Sequence, residues 1–276
     1  MIMSSAIAAQ LGDGLAVPLF RQVGPLAIGG LRFLAAGALL SAIARPSLRG
    51  RCRADWAAIV GLGLVAAVMN LSYYEAAARL PLGTTSTVEF LGPFAIAALA
   101  AVRSRRPVEL GCAVLAIAGV TALSQASVRV SPLGLCFAAA SAAALTGYVL
   151  LAGVVARRSA SLDCLALSVG VSALVCLPLV GAALPYLHPQ LLGRGAISGC
   201  LGIALVYGLE RRALRLTSAK TVSVLLSLEP GVAALVGYVV LGQRLTVGML
   251  IGMACVHVAA VVVSAIEPVS SDFAAE

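Results

Sequence analysis

Ten apolar runs, most close to 20 residues long, fill this chain: roughly 2–20, 25–44, 56–76, 83–102, 108–125, 133–154, 164–184, 195–213, 219–241 and 246–266. Such a run matches a hydrocarbon core of about 30 Å at 1.5 Å of helical rise per residue. Lipid offers no water to backbone amides, so only helices or closed barrels can cross it. Barrel strands alternate apolar and polar residues over about 10 positions, and these runs do not alternate. The chain therefore reads as an all-α integral membrane protein with ten transmembrane helices. Composition agrees, since 61% of residues are hydrophobic and only 11% charged, against roughly 25% charged in soluble domains. The first run starts at Met1 without a basic leader, so it reads as a membrane helix rather than a signal peptide.

The net charge of +8 is not a nucleic-acid footprint, because the basic residues sit in short loops between the runs. Four loops on the N-terminal side hold thirteen of them: Arg45, Arg49, Arg51 and Arg53; Arg103, Arg105 and Arg106; Arg157 and Arg158; Arg211, Arg212, Arg215 and Lys220. The opposite loops hold five, Arg21, Arg79, Arg129, Arg194 and Arg244, one each. The positive-inside rule then puts both termini in the cytoplasm, with 267–276 as a cytoplasmic tail. The cysteines, Cys52, Cys112, Cys136, Cys164, Cys176, Cys200 and Cys255, lack metal-ligand spacing and read as small buried thiols. No metal or other cofactor is expected.

Each half carries a glutamate near a proline inside an apolar run. They are Glu89 with Pro93 and Glu229 with Pro230, the prolines being 137 residues apart in 276. Gly111 and Gly248 keep the same offset. This implies two repeats, 1–126 and 132–266. Five helices is an odd number, so the second repeat must be inverted relative to the first. Inverted repeats place a substrate site near the midplane and permit alternating access.

A carboxylate in the bilayer is a functional candidate by default. Glu229 lies about ten residues into its run, and Pro230 crowds the carbonyl of Leu226. Freed carbonyls beside a carboxylate can hold a cation or ammonium; a static hydrogen bond is the competing reading. Glu89 follows Thr84, Thr85, Ser86 and Thr87, and the carbonyl crowded by Pro93 is its own. Arg32 is the only basic residue well inside a run. It needs a carboxylate, either Glu89 or Asp13, or else that of a substrate. Asp13 sits with Gln10, Gly12 and Gly14, a pattern that fits close helix packing or local unwinding. Asn70 and Tyr74 share a helix face and either line a cavity or bond to another helix. Glu75 with Arg79, and Glu210 with Arg211, read as interfacial ion pairs. His257 reads as a bonded core residue, and His188 as an incidental loop residue.

Several functions are excluded by what is missing. The chain has no GxxxxGK[ST] phosphate loop, no HExxH, no GxSxG and no potassium-filter sequence. Transport must draw on an ion gradient or on the substrate's own gradient.

Leu80-Pro81-Leu82-Gly83, Glu89-Phe90-Leu91-Gly92-Pro93, Arg105-Arg106-Pro107-Val108 and Ser227-Leu228-Glu229-Pro230 resemble the EamA family of the drug/metabolite transporter superfamily. With Asn70, Tyr74, Tyr207, Leu209 and Glu210, they are most similar to its threonine/homoserine exporter branch. The resemblance covers nearly the whole chain. It implies ten helices in two inverted five-helix repeats and both termini in the cytoplasm. Leu241-Gly242-Gln243 departs from it, standing where the family commonly has Leu-Gly-Glu, and Asp13 is unusual for the branch. The resemblance implies a bacterial inner-membrane exporter of small neutral amino acids, with protons as a candidate coupling ion and a homodimer left open. Glu229, Glu89, Arg32, Asn70, Tyr74 and Asp13 are its candidate binding or coupling residues, and Pro93 and Pro230 its helix breaks. Efflux of larger apolar or cationic compounds is the alternative, although aromatics are only 5% of the chain. A membrane enzyme or scaffold would group its polar residues at one face instead.

Overall fold

The computed structural model describes residues 2–92, 131–158, 162–209 and 229–266, with positions 108, 111, 112, 114, 115, 118, 119 and 122. Every regular element among them is helical. The helices are α1 (Ile2–Ala16), α2 (Pro25–Ala44), α3 (Arg53–Ala77), α4 (residues 82–92), α5 (Pro132–Arg158), α6 (Leu162–Ala183), α7 (Pro189–Gly199), α8 (Glu229–Leu241) and α9 (Val247–Ile266). Among the described residues, five stretches are long and apolar enough to span a bilayer: Pro25–Ala44, Arg53–Ala77, Pro132–Val155, Leu162–Tyr186 and Pro189–Leu209. Pro93, Glu210, Leu226 and the tail lie outside the described residues, as do the second half of the fourth run and most of the fifth.

Local chemistry sets the helix ends. Proline opens α2, where it follows Gly24 at φ 84°; its missing N–H costs nothing in a first turn. α7 starts at Pro189, six residues before its apolar run, because His188 caps it: Nδ1 accepts from the Leu191 N–H at 3.3 Å. The ring's other nitrogen lies 3.2 Å from Gln22 Oε1. His188 is thus a helix cap rather than an incidental residue. α1 ends at Ala16, four residues short of its run, in a 3₁₀ turn containing Pro18.

α7 continues as a π-helical segment, Cys200–Leu205, before resuming as an α-helix over 206–209. No feature of its apolar sequence announced this. Widened turns of this kind arise where tertiary contacts outweigh the α-helical ladder.

The helices meet through small residues. α2 packs along α6, α3 lies against α5 and α6, and α1 crosses α7 and α8. One core cluster joins both halves, with Phe20, Tyr73, Tyr74 and Leu82 against Leu191, Ala233 and Val236. Large apolar side chains such as Leu174, Val239 and Val247 face outward, as lipid contact requires. Of the cysteines, Cys112, Cys164 and Cys176 are buried as expected, while Cys52 and Cys136 are exposed.

Candidate functional site

α1 gathers the first set of polar groups. Gly12 lets it approach α7 so closely that a Cβ there would lie 2.7 Å from the Gly202 Cα. Ser198 Oγ ties the crossing by donating to the Gly12 carbonyl at 2.6 Å. α2 enters the same crossing. A Cβ on Gly199 would collide with the Arg32 backbone, and one on Gly202 with its Nη2. The glycines beside Asp13 therefore serve close packing, and α1 stays helical through them.

Three small residues thus make room for one large buried cation. Arg32 is fully buried, and its Nη1 donates to Asp13 Oδ1 at 2.6 Å. Asp13 is the partner, not Glu89. The guanidinium also lies over the Tyr74 ring, 4.7 Å from its centroid, an attraction strengthened by desolvation. Tyr74 is fixed in turn: Oη donates to Asn70 Oδ1 at 3.0 Å, and Asn70 Nδ2 donates to the Ala66 carbonyl at 3.0 Å. Asn70 and Tyr74 share a face as expected, but their bonds stay within α3 rather than crossing to another helix. Arg32 Nε and Nη2 have no hydrogen-bond acceptor among the described residues. That pair is a planar fork suited to a carboxylate.

Gln10 stands one turn before Asp13 on α1. Its Nε2 donates to Glu229 Oε1 at 3.3 Å, joining the two halves of the chain. Glu229 and Pro230 open the described part of α8. The Gly231 N–H donates to His257 Nε2 at 3.2 Å, and His257 Nδ1 donates to the Met253 carbonyl at 2.7 Å. His257 is hydrogen-bonded, as expected, though only half-buried.

Glu89 lies elsewhere, between α4 and α5. Ser141 Oγ is 2.5 Å from Glu89 Oε1 and 3.0 Å from the Met69 carbonyl of α3. Gly92 makes this approach possible, since a Cβ there would overlap the Ala142 carbonyl. Thr84, Thr85, Ser86 and Thr87 are buried along α4. Thr85 and Thr87 donate back to the carbonyls of Pro81 and Gly83.

Two residues escaped the sequence reading. Ser141 is the lone hydroxyl in Ala138–Ala144, and that isolation was its only signal. Gln243 was read as a lost carboxylate. Its Oε1 instead accepts from the Leu82 N–H at 3.0 Å, capping α4 from the other half. The Glu75–Arg79 ion pair is present. Among the described residues, no cluster of three His, Cys, Asp or Glu side chains can hold a metal.

Comparison with known proteins bears on this arrangement. The EamA-like transporter family profile matches residues 2–125 and 132–265. The chain is 31% identical over 258 residues to the threonine/homoserine exporter RhtA of Salmonella typhimurium (strain SL1344), covering 91% of this chain and 85% of that one. Against the Escherichia coli (strain K12) exporter RhtA, identity is 31% over 243 residues, covering 86% and 81%. A solved crystal structure superposes with a TM-score of 0.63 at 19% identity, covering 95% and 94% of the two chains. At that identity the likeness concerns the fold alone.

Proposed function

The chain belongs to the EamA-like transporter family, and from that premise we propose that it exports small neutral amino acids of the threonine/homoserine kind. The site lies between two inverted five-helix repeats, and alternating access moves the substrate across a bacterial inner membrane. Both termini are cytoplasmic on this reading, and protons are the coupling ion. The curated relatives named threonine/homoserine exporters support the substrate class.

The observation that carries the reading is the placement of opposite charges along α1. Glu229 is held through Gln10, and Arg32 through Asp13. Those two anchors are one helical turn apart, about 4.5 Å of rise. An α-amino acid carries its ammonium and its carboxylate on the same carbon. Glu229 takes the ammonium, and the Nε and Nη2 edge of Arg32, buried against Gly202 and without an acceptor among the described residues, takes the carboxylate when the crossing opens. Asp13 holds the opposite edge of the guanidinium, and the Tyr74–Asn70 pair fixes the ring beneath it. Pro230, next to Glu229 in the first turn of the described α8, has no N–H to donate back along the helix. Glu89 serves coupling rather than substrate.

The test is efflux of labelled threonine and homoserine from cells or inverted vesicles, with wild type and Glu229→Gln, across an imposed pH gradient. Gradient-driven efflux from wild type, reduced to the empty-membrane level in the variant, is the expected result. Equal efflux from wild type and empty membranes removes the amino-acid assignment and turns the search to drugs and other metabolites.

A further inference from the structure

Glu89 and Glu229 have different neighbours, and the difference bears on where a proton rides. A serine hydroxyl owns one proton and can accept as well as donate. Ser141 Oγ lies within bonding distance of two acceptors, Glu89 Oε1 at 2.5 Å and the Met69 carbonyl at 3.0 Å. It cannot donate to both at once. The same heavy-atom positions therefore satisfy two protonation states of Glu89. When Glu89 is a carboxylate, the Ser141 O–H donates to it. When Glu89 carries a proton, its own O–H donates to Ser141 Oγ, and the Ser141 proton turns to the Met69 carbonyl.

We propose that Ser141 is a positioning residue for proton exchange, a hydroxyl rotor that lets Glu89 gain and lose a proton within the membrane while its heavy atoms stay in place. The inference rests on the proton-antiport part of the reading above and adds the residue that makes it work. Proton balance is simple. A proton from water on one side enters the Glu89 carboxyl, and the same proton leaves to water on the other side after the alternating step. No other bond is made or broken.

The surroundings suit this role. Ser141 is fully buried. Its neighbours on α5 are the alanines of Ala138–Ala144, so no other side chain there competes for the carboxyl. Gly92 and Ala142 bring the two backbones together and hold the spacing. Asp13 from α1 acts electrostatically on Glu89, and Tyr73 and Tyr74 of α3 lie close enough to feel the Glu89 charge. Asp13 is already committed to Arg32 at 2.6 Å. No cation is paired with Glu89 among the described residues, so nothing there locks it in its charged form. Glu229, by contrast, meets an amide N–H of Gln10. An amide nitrogen only donates, and it favours an oxygen that stays an acceptor.

Infrared difference spectroscopy of the purified protein in lipid nanodiscs, titrated with pH, tests this without any substrate. The expected result is a protonated-carboxyl C=O band that disappears in Glu89→Gln and persists in Glu229→Gln. That band should move in Ser141→Ala and return to its wild-type position in Ser141→Thr, which restores the hydroxyl. A band that persists in Glu89→Gln, no such band at any pH, or a band unmoved in Ser141→Ala overturns the proposal. In vesicles, Glu89→Gln should make efflux insensitive to the imposed pH gradient; retained sensitivity also overturns it. If wild type moves neither threonine nor homoserine, the amino-acid assignment fails while the spectra still decide the role of Ser141.

Discussion

Two helix crossings in this protein use the same packing device and reach opposite electrostatic ends. At the α1–α2–α7 crossing, Gly12, Gly199 and Gly202 let backbones close around Arg32, and Asp13 meets it at 2.6 Å. At the α4–α5 crossing, Gly92 closes on Ala142, and Glu89 meets the hydroxyl of Ser141 rather than a cation among the described residues. An acid bonded to a buried guanidinium is tied to that one partner by direct attraction. An acid facing a hydroxyl can exist with or without its proton at small structural cost. Small residues determine that helices meet, whereas the one polar partner at the contact determines whether the acid is fixed or exchangeable.

The sharpest way to break this contrast is to remove one member of the fixed pair. Asp13→Leu leaves a buried guanidinium uncompensated and should cost about 3–5 kcal/mol, whereas the double variant Asp13→Leu/Arg32→Met should recover most of it. Thermal unfolding of the purified proteins measures both; equal loss in single and double variants would show that the pair is not coupled. Gly202→Val comes next. Its side chain must displace the Arg32 guanidinium, and overpacking of this kind costs about 1–3 kcal/mol. Gly170→Ala, where no described neighbour stands within 4 Å of the added Cβ, is its control and should leave the melting temperature unchanged.

A smaller effect is expected across the two halves. Gln243→Ala removes the acceptor for the Leu82 N–H and should cost about 0.5–2 kcal/mol, the range for losing a helix N-terminal cap. Gln243→Glu keeps an acceptor and should retain most of that stability in the same unfolding assay. If Gln243→Glu loses as much as Gln243→Ala, the bond between the halves is not what holds α4. The smallest change in stability belongs to Glu229→Gln. The shape and the oxygen facing Gln10 are preserved, so the loss should stay within about 1 kcal/mol, yet efflux should fall to background. A variant both stable and active would take Glu229 out of the substrate site.

Much of this was legible in the sequence for one physical reason. A bilayer forces backbone groups to bond within their own segment, so apolar runs become helices whatever their neighbours do. Lone charges stand out against such a background, and Asp13, Arg32, Glu89 and Glu229 were each visible at once. Pairing was not. Arg32 had two carboxylates at plausible depths, and depth along a helix says nothing about which face meets which. The hydroxyl of Ser141 and the amide of Gln243 gave weaker signals still, because a neutral polar group matters only once its neighbour is known. The Tyr74–Asn70 bond went the other way: the shared face was correct, and the partner proved to be within that same face.

The sequence by itself determined the helical membrane architecture and the matched acid–proline places in its two halves, since desolvating the backbone and an unpaired carboxylate dominates the energy of any arrangement. Only the tertiary structure decided that Arg32 goes to Asp13, that Glu89 goes to Ser141, and that α7 widens into a π-helical segment over Cys200–Leu205. Those outcomes rest on which glycines face which backbones. Differences of a few ångström in helix approach choose between an ion pair and a hydroxyl contact, and no local pattern encodes them.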